Sequence, residues 1–237
     1  MFLFHQEVLA LTGLNLNEQQ LGSFELFEEQ LIKWNESFNL TAISDPESIR
    51  RKHFLDSLSS SLLIDGHEIN RLIDIGTGAG FPGFPLKIVF PHLQLVLVES
   101  IGKKADFCRF IAKHIALDQT AVYQTRAEEL GQSALHREMY DCAVARAVAN
   151  MSTLAEYMLP LVRLGGYMLS LKGESGPREA HAAEKAITLF GGHIKQIREV
   201  QIPGIAEERY LILIEKIATT PDKYPRRVGV PLKKPIK

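Results

Sequence analysis

The stretch Arg71-Leu72-Ile73-Asp74-Ile75-Gly76-Thr77-Gly78-Ala79-Gly80-Phe81 decides the fold class of this chain. A short apolar run carries an acid near its end, glycines follow at alternate positions, and an apolar helical pattern resumes at Gly83. That order reads as a strand, a tight turn and a helix start. Glycine is needed where a backbone takes positive φ or lies against a ligand, so Gly76, Gly78 and Gly80 mark a loop shaped to hold a nucleoside.

The spacing separates two kinds of nucleotide binder. A dinucleotide fingerprint places its third glycine three positions after the second, where the helix packs on the strand and its N-terminus meets a pyrophosphate. Phe81 stands at that place and is too large for such an approach. The pattern Asp74-x-Gly76-x-Gly78-x-Gly80 instead resembles the first motif of class I S-adenosylmethionine (AdoMet) methyltransferases, whose cofactor has no phosphate. An incidental turn in an α/β protein is the competing reading of the loop alone, so the elements around it must decide.

From Arg71 onward strands and helices alternate, the pattern of a parallel sheet covered on both faces. Strands are expected over 72–75, 93–98, 121–124, 141–145 and 167–171, with helices over 83–90, 103–117, 151–162 and 177–190. Two further strands, 194–202 and 210–217, have no helix between them and must run antiparallel. The predicted fold is therefore a class I AdoMet-dependent methyltransferase: α/β, Rossmann-like, with a mostly parallel seven-stranded sheet, an antiparallel last strand and an N-terminal helical extension. Glu99 ends the second strand about twenty residues after the glycine loop, where a carboxylate accepts hydrogen bonds from ribose hydroxyls.

Three segments follow from this reading: a helical extension over 1–65, an AdoMet-binding domain over 66–220 and a basic tail over 221–237. In the extension, Leu21, Phe24, Phe27, Leu31 and Trp34 have the three-and-four spacing of an amphipathic helix over 17–35. Ser44-Asp45-Pro46-Glu47 announces a second helix, with a Ser-x-x-Glu capping pattern and a proline suited to the first helical position. Ile49, Phe54, Leu58 and Leu62 form its apolar stripe, and Arg50, Arg51, Lys52 and His53 its other face. That basic run is either a solvated face or a contact for an anionic partner.

With 237 residues, of which 46% are hydrophobic, the chain can bury one core with an appendage. No apolar run approaches the roughly 18 residues that span a bilayer, and the start lacks the basic flank of a secretion signal, so a cytoplasmic protein without a membrane partner is expected. Cys108 and Cys142 are the only cysteines and lie in apolar segments, which supports neither a metal site nor a disulfide framework. A net charge of −1 excludes a uniformly cationic nucleic-acid binder. The charge is uneven, however: residues 221–237 carry +5, leaving −6 on the rest. Such a tail is either a phosphate-gripping arm or a solvated end.

Several ordered motifs go beyond a fold class. Asn39-Leu-Thr-Ala, His53-Phe-Leu-Asp-Ser-Leu, the glycine loop with Pro82-Gly83, Glu99-Ser-Ile-Gly-Lys-Lys, Arg126-Ala-Glu-Glu, Ala145-Arg146-Ala147, Lys172-Gly173 and Tyr224-Pro-Arg-Arg-Val-Gly-Val-Pro-Leu-Lys-Lys-Pro follow one another from Asn39 to the C-terminus. Together they resemble the bacterial 16S ribosomal RNA guanine-N7 methyltransferase family, RsmG. Glu99 stands where many members have Asp, and Phe81 and Phe84 where many have Leu and Ile. The resemblance implies AdoMet as cofactor, N7 of a 16S rRNA guanine as acceptor, and 16S rRNA or the small ribosomal subunit as partner; no metal is expected, and the chain is expected to act as a monomer. Carried over residue by residue, the family's cofactor contacts fall on Gly76, Phe81, Ala127, Glu128 and Arg146. Asp74 is placed to face the methionine ammonium or to cap the loop's own amides; Glu128 is placed to read the adenine edge or to serve as a helix-start acid.

Guanine N7 offers an unprotonated lone pair at neutral pH, so methyl transfer to it needs alignment and no general base. No Ser/His/Asp or Cys/His set stands out in the sequence, in keeping with that chemistry. Arg146, just past the fourth strand, sits where such sheets bind ligands and is the expected orienting residue, holding the AdoMet carboxylate or the RNA. RNA contacts are expected from Arg50, Arg51, His53, Lys103, Lys104, Lys172, Arg226, Arg227 and Lys233, with His53 alternatively structural. The target base should be unpaired or extruded, because the A-form major groove is too narrow to admit an enzyme. The tail is expected to serve RNA binding and to leave AdoMet binding alone.

Overall fold

Buried on both faces, a central strand of a parallel sheet must be apolar almost throughout, and β1 (Arg71–Ile75) has every residue after Arg71 buried. The computed structural model describes residues 1–64 and 66–237. It forms a seven-stranded sheet in the order β3-β2-β1-β4-β5-β7-β6, comprising β2 (Gln94–Val98), β3 (Thr120–Tyr123), β4 (Tyr140–Arg146), β5 (Val162–Lys172), β6 (Gly192–Val200) and β7 (Arg209–Lys216). Only β7 runs antiparallel to its neighbours, β5 and β6. The winding reverses between β1 and β4, so the crevice at their carboxyl ends is where this architecture binds ligands.

Alternation along the strands divides the core. Leu72, Cys142 and Val144 point to one face, where they meet α6 (Gly83–Val89), α7 (Gly102–His114) and the N-terminal helices. Ile73, Ile75, Ala143 and Ala145 point to the other face. That face is covered by α8 (Ala127–Gln132), α9 (Met151–Met158), α10 (Gly176–Ala182) and α11 (Glu184–Leu189). The single helix expected over 177–190 is two, because Ala183 takes φ −97° and ψ 1° and turns the chain between them. Both cysteines are buried free thiols.

The extension contains a helix the sequence did not announce, α1 (Phe2–Thr12), which buries Phe4 and Val8. The following α2 (Glu18–Phe38) starts at a capping box, with Gln20 N–H donating to Asn17 Oδ1 at 2.9 Å and Asn17 N–H to Gln20 Oε1 at 3.0 Å. The next helix is capped by Asp45, whose Oδ1 accepts from Ser48 N–H, and not through the expected Ser44 pattern. It is α-helical only at its ends, α3 (Pro46–Ser48) and α4 (Asp56–Leu58); the seven residues Ile49–Leu55 between them form a π-helix. A short α5 (Ser61–Ile64) follows, and α12 (Val230–Lys233) lies in the C-terminal segment.

An aromatic cluster joins this extension to the glycine loop. The Phe27 ring lies 5.2 Å from Phe81, 5.3 Å from Phe54 and 5.5 Å from Phe84, and is fully buried. Removing a ring from such a site leaves a cavity, so Phe27→Ala should destabilise the protein by about 3–5 kcal/mol. The neighbouring Leu26→Ala, at a 41% exposed position, should stay within about 0.5 kcal/mol. Urea midpoints at unchanged m-value measure both.

Candidate active site

The glycine loop is held open by its own residues. Gly76, Gly78 and Gly80 all have positive φ, at 66°, 62° and 95°. A Cβ at Gly80 would fall 2.0 Å from the Phe84 ring, so that position is closed to any side chain. A Cβ at Gly78 would meet nothing within 4 Å, so the left-handed backbone alone requires glycine there. Beneath the loop Asp74 is fully buried. Its Oδ2 accepts from Thr77 Oγ1 at 2.6 Å and from Gly83 N–H at 2.8 Å. Its Oδ1 has no hydrogen-bond partner among the described residues. Burial pushes the Asp74 pKa up to about 7 against the downward pull of those two hydrogen bonds.

Beside the loop lies a cavity of about 300 Å³ lined by Gly76, Glu99, Ala127, Glu128, Val148 and Tyr157, among others. Glu99 closes one side, accepting from Gly78 N–H at 3.0 Å and from Ile101 N–H at 2.8 Å. These bonds bind the carboxylate to the loop and leave each oxygen a further lone pair. On the other side Glu128, 4% exposed, accepts from Gly229 N–H at 2.9 Å. Burial and then the neighbouring Glu128 push the Tyr157 phenol up to about 12.

A second cavity, about 350 Å³, is lined by Lys52, His53, Asp56, Arg146, Lys172 and Arg209, among others. The two cavities share Ala147. This residue has φ 55°, a left-handed conformation costing a non-glycine residue about 1–3 kcal/mol and concentrated at functional sites.

Arg146 is fastened to the π-helix. Its Nη1 donates to Asp56 Oδ2 at 2.7 Å and to Lys52 O at 3.0 Å, its Nη2 lies 3.0 Å from His53 Nδ1, and its guanidinium stands 5.2 Å over the Phe81 ring. Because an arginine only donates, His53 Nδ1 accepts, and Nε2–H donates to Thr41 Oγ1 at 2.8 Å. Burial, and then the Arg146 charge, lower the His53 pKa to about 3. His53 stacks on Phe81 with centroids 4.6 Å apart. In this structure it is a neutral ring bonded to Arg146 and Thr41. π-turns inside helices are rare and frequently lie at functional sites; this one packs against Arg146.

The sequence-predicted residues therefore divide. Gly76, Glu99, Ala127 and Glu128 come together in the first cavity. Phe81 does not line it: the ring is sandwiched between Phe27 and His53, with 5% of its surface exposed. Arg146 lines the second cavity. Several expected RNA contacts have carboxylate partners: Arg50 bonds Glu28 at 2.6 Å, Arg51 pairs with Glu7 and Glu47, Lys172 with Glu179, and Arg226 with Glu156. Lys103, Lys104, Arg227 and Lys233 make no ion pair among the described residues. Sequence reasoning missed Arg209. It begins the one antiparallel strand, and that reversal carries it to the carboxyl edge beside Lys172. Lys52 was visible in the basic run, but its cavity was not.

The model of the family described as rRNA small subunit methyltransferase G matches residues 20–211. The chain belongs to this family. Curated relatives named ribosomal RNA small subunit methyltransferase G are similar over nearly full length. That of Desulfitobacterium hafniense is 43% identical over 98% of both chains, and that of Bacillus pumilus 44% identical over 94% of both. Among solved structures, an S-adenosylmethionine-dependent O-methyltransferase of Thermotoga maritima superposes with a TM-score of 0.54 at 14% identity, covering 81% of this chain and 72% of that one. This last likeness concerns the fold alone. Among the described residues no group of three or more His, Cys, Asp or Glu could hold a metal ion, and no helix is long and apolar enough to cross a membrane.

A depressed pKa keeps His53 neutral in the folded chain, whereas the unfolded chain protonates near 6.5. Its contribution is therefore full above about pH 6.5 and is lost as pH falls towards 3. In an NMR titration the His53 ring should show no protonation between pH 8 and 5; in Arg146→Met, which removes the neighbouring charge, its pKa should rise.

Proposed function

We propose that the protein transfers the methyl group of AdoMet to N7 of a guanine in 16S ribosomal RNA, in line and without a general base. The meeting of the two cavities at Ala147, at the sheet's switch point, carries this reading. One cavity is lined by carboxylates and the other is mainly cationic, as a sulfonium nucleoside and an RNA base require. Bound AdoMet supplies a methyl group already activated by the positive sulfur. The residues present fit it. Asp74 Oδ1 is a buried carboxylate oxygen without a donor, matched in sign to an ammonium. Glu99 has lone pairs left for ribose hydroxyls, and Glu128 with the Ala127 backbone for the adenine edge.

The chain's remaining task is alignment. N7 needs no deprotonation, and a guanidinium bonded to N7 would block the attacking lone pair. Arg146 is instead held by Asp56 and the π-helix carbonyls, so it presents a fixed positive face to the base cavity. Arg209 shares Asp56 with Arg146, which leaves net positive charge there; Lys52 pairs loosely with Glu207 at 3.8 Å, and Lys103, Lys104, Arg227 and Lys233 offer uncommitted charge for phosphates. Arg50, Arg51, Lys172 and Arg226 are already neutralised and contribute less. RNA binding should fall steeply with salt. On this reading the protein acts in the cytoplasm, on RNA or on the small subunit, as a monomer.

Incubated with labelled AdoMet and small subunits from a strain lacking this activity, the protein should form N7-methylguanine in 16S rRNA. Arg146→Ala should lower the rate by about 10²-fold or more through lost alignment, while S-adenosylhomocysteine affinity stays near wild type. Absence of N7-methylguanine with active wild-type protein would overturn the assignment.

Asp74 adds a pH signature. Its raised pKa means that it is protonated in the free protein below about pH 7. A cofactor ammonium favours the ionised form, so binding at pH 6 should release up to about one proton, and at pH 8.5 almost none. Calorimetry in buffers of different ionisation enthalpy measures this release, and Asp74→Asn should abolish it.

A further inference from the structure

The C-terminal segment departs furthest from its expected role as a free arm. It lies along α8 and α9, the helices whose Ala127, Glu128 and Tyr157 line the first cavity. Tyr224 and Pro225 are buried, and a Cβ at Gly131 of α8 would come 2.6 Å from Pro225 Cγ. Gln132 Nε2 donates to Pro225 O at 2.7 Å, and Arg137 donates to Tyr224 O and Thr220 O, each at 2.7 Å. Arg226 then grips Glu156 of α9, with Nη2–Oε2 at 2.6 Å and Nε–Oε1 at 2.8 Å, and its amide also donates to Oε1 at 2.8 Å. Glu156 is 1% exposed, so the chain is anchored to a carboxylate that has no access to water. Three residues later the backbone turns left-handed at Gly229, φ 78°, and its N–H donates to Glu128 Oε1. Farther on, Thr153 and Ser152 donate to Pro231 O and Ile236 O.

We propose that residues 221–237 form a strap that positions Glu128 for the cofactor, with the Arg226–Glu156 pair as its anchor and the Gly229 amide as its working contact. The proposal rests on the reading of the first cavity as the AdoMet site. A glutamate has three side-chain torsions to lose on ordering, and a fixed donor at one oxygen sets where the other points. Glu156 is the neighbour of Tyr157 on α9, so the anchor holds the strap to the same helix that closes the cavity. The strap's outer face carries Lys223, Arg227, Lys233 and Lys234, all exposed. Residues that do not line the first cavity thus govern its affinity. By linkage, a ligand that is held more tightly when the strap is docked must in turn hold the strap down.

Two variants and two readouts test this. Arg226→Ala removes the anchor. Gly229→Ala keeps the anchor and adds a Cβ that meets nothing within 4 Å, so it perturbs only the left-handed backbone at the working contact. In folded variants, verified by circular dichroism, S-adenosylhomocysteine affinity measured by calorimetry should fall at least about fivefold, at the low end of measured coupling between sites. Arg226→Lys should recover part of the loss, since it keeps the charge but not the paired hydrogen bonds. In wild type, saturating S-adenosylhomocysteine should slow tryptic cleavage after Arg227 and Lys233, and in Gly229→Ala this protection should shrink. Wild-type affinity in both folded variants, or a cleavage rate indifferent to ligand, would overturn the strap. Failure of the wild-type protein itself to bind S-adenosylhomocysteine would overturn the cofactor reading, and the strap with it.

Discussion

A guanidinium at the end of β4 is held between a carboxylate, backbone carbonyls and an aromatic ring, all from outside β4, and the site depends on that attachment. Arg146 reaches Asp56, the carbonyls of Lys52 and His53, and the face of Phe81. The first three belong to the N-terminal extension and the last to the glycine loop, so one side chain binds three parts of the fold at the sheet's switch point. Desolvating such a pair costs several kcal/mol per ion, which its mutual attraction offsets only with good geometry and further hydrogen bonds. Asp56 has both: Arg146 on Oδ2 and Arg209 Nε 3.5 Å from Oδ1. The web therefore contributes orientation more than net stability. The extension, which looks in sequence like a scaffold, lines the second cavity with Ile43, Lys52, His53 and Asp56.

Buried charges elsewhere follow two patterns. Arg50–Glu28, Arg226–Glu156 and Lys216 have oppositely charged partners and line neither cavity. Lys216, with no exposed surface, donates to Leu159 O at 2.6 Å and pairs with Glu138 at 3.1 Å, while burial lowers its pKa to about 8. Asp74 differs in leaving one oxygen without a donor, and Ala147 differs in holding an unfavourable φ. An incompletely satisfied carboxylate and a strained backbone lie at the carboxyl ends of two neighbouring parallel strands, β1 and β4. Local discontent of this kind persists only where the surrounding fold over-determines it; Ala147 is the residue the two cavities share, and Asp74 precedes Ile75, which lines the first.

Much of the architecture is legible in the amino-acid sequence alone. Apolar runs of strand length, the glycine loop and the helixless pair of final strands each follow from local chemistry: side-chain periodicity, backbone freedom and the hydrogen-bond pattern of strand pairing. Glu99, Ala127, Glu128 and Gly76 could be placed together because they sit at strand ends or just beyond them, and a doubly wound sheet brings strand ends to one edge. The breaks were less visible. Neither the π-turn at Ile49–Leu55 nor the division at Ala183 has a proline or glycine to announce it.

The sequence by itself determined the sheet, the loop, the acids at the strand ends and the family, because these depend on periodicity and spacing within short stretches of chain. Only the tertiary structure decided which charges are free. Arg50, Arg51, Lys172 and Arg226 read as an anion-binding set in one dimension. Glu28, Glu7, Glu179 and Glu156, brought to them by packing, neutralise that set. Arg209 gained its place from an antiparallel strand, and the C-terminal basic segment became a docked strap because two buried carboxylates, Glu156 and Glu128, lay where it passes. A charge in sequence has a sign; its partner is a property of three dimensions, since Coulomb attraction and hydrogen bonding act over ångströms in space and not over positions along the chain. The glycine loop from Arg71 to Phe81 shows both sides of this: its turn was written in its glycines, while the role of Phe81, packed between Phe27 and His53, came from helices that the loop itself does not contain.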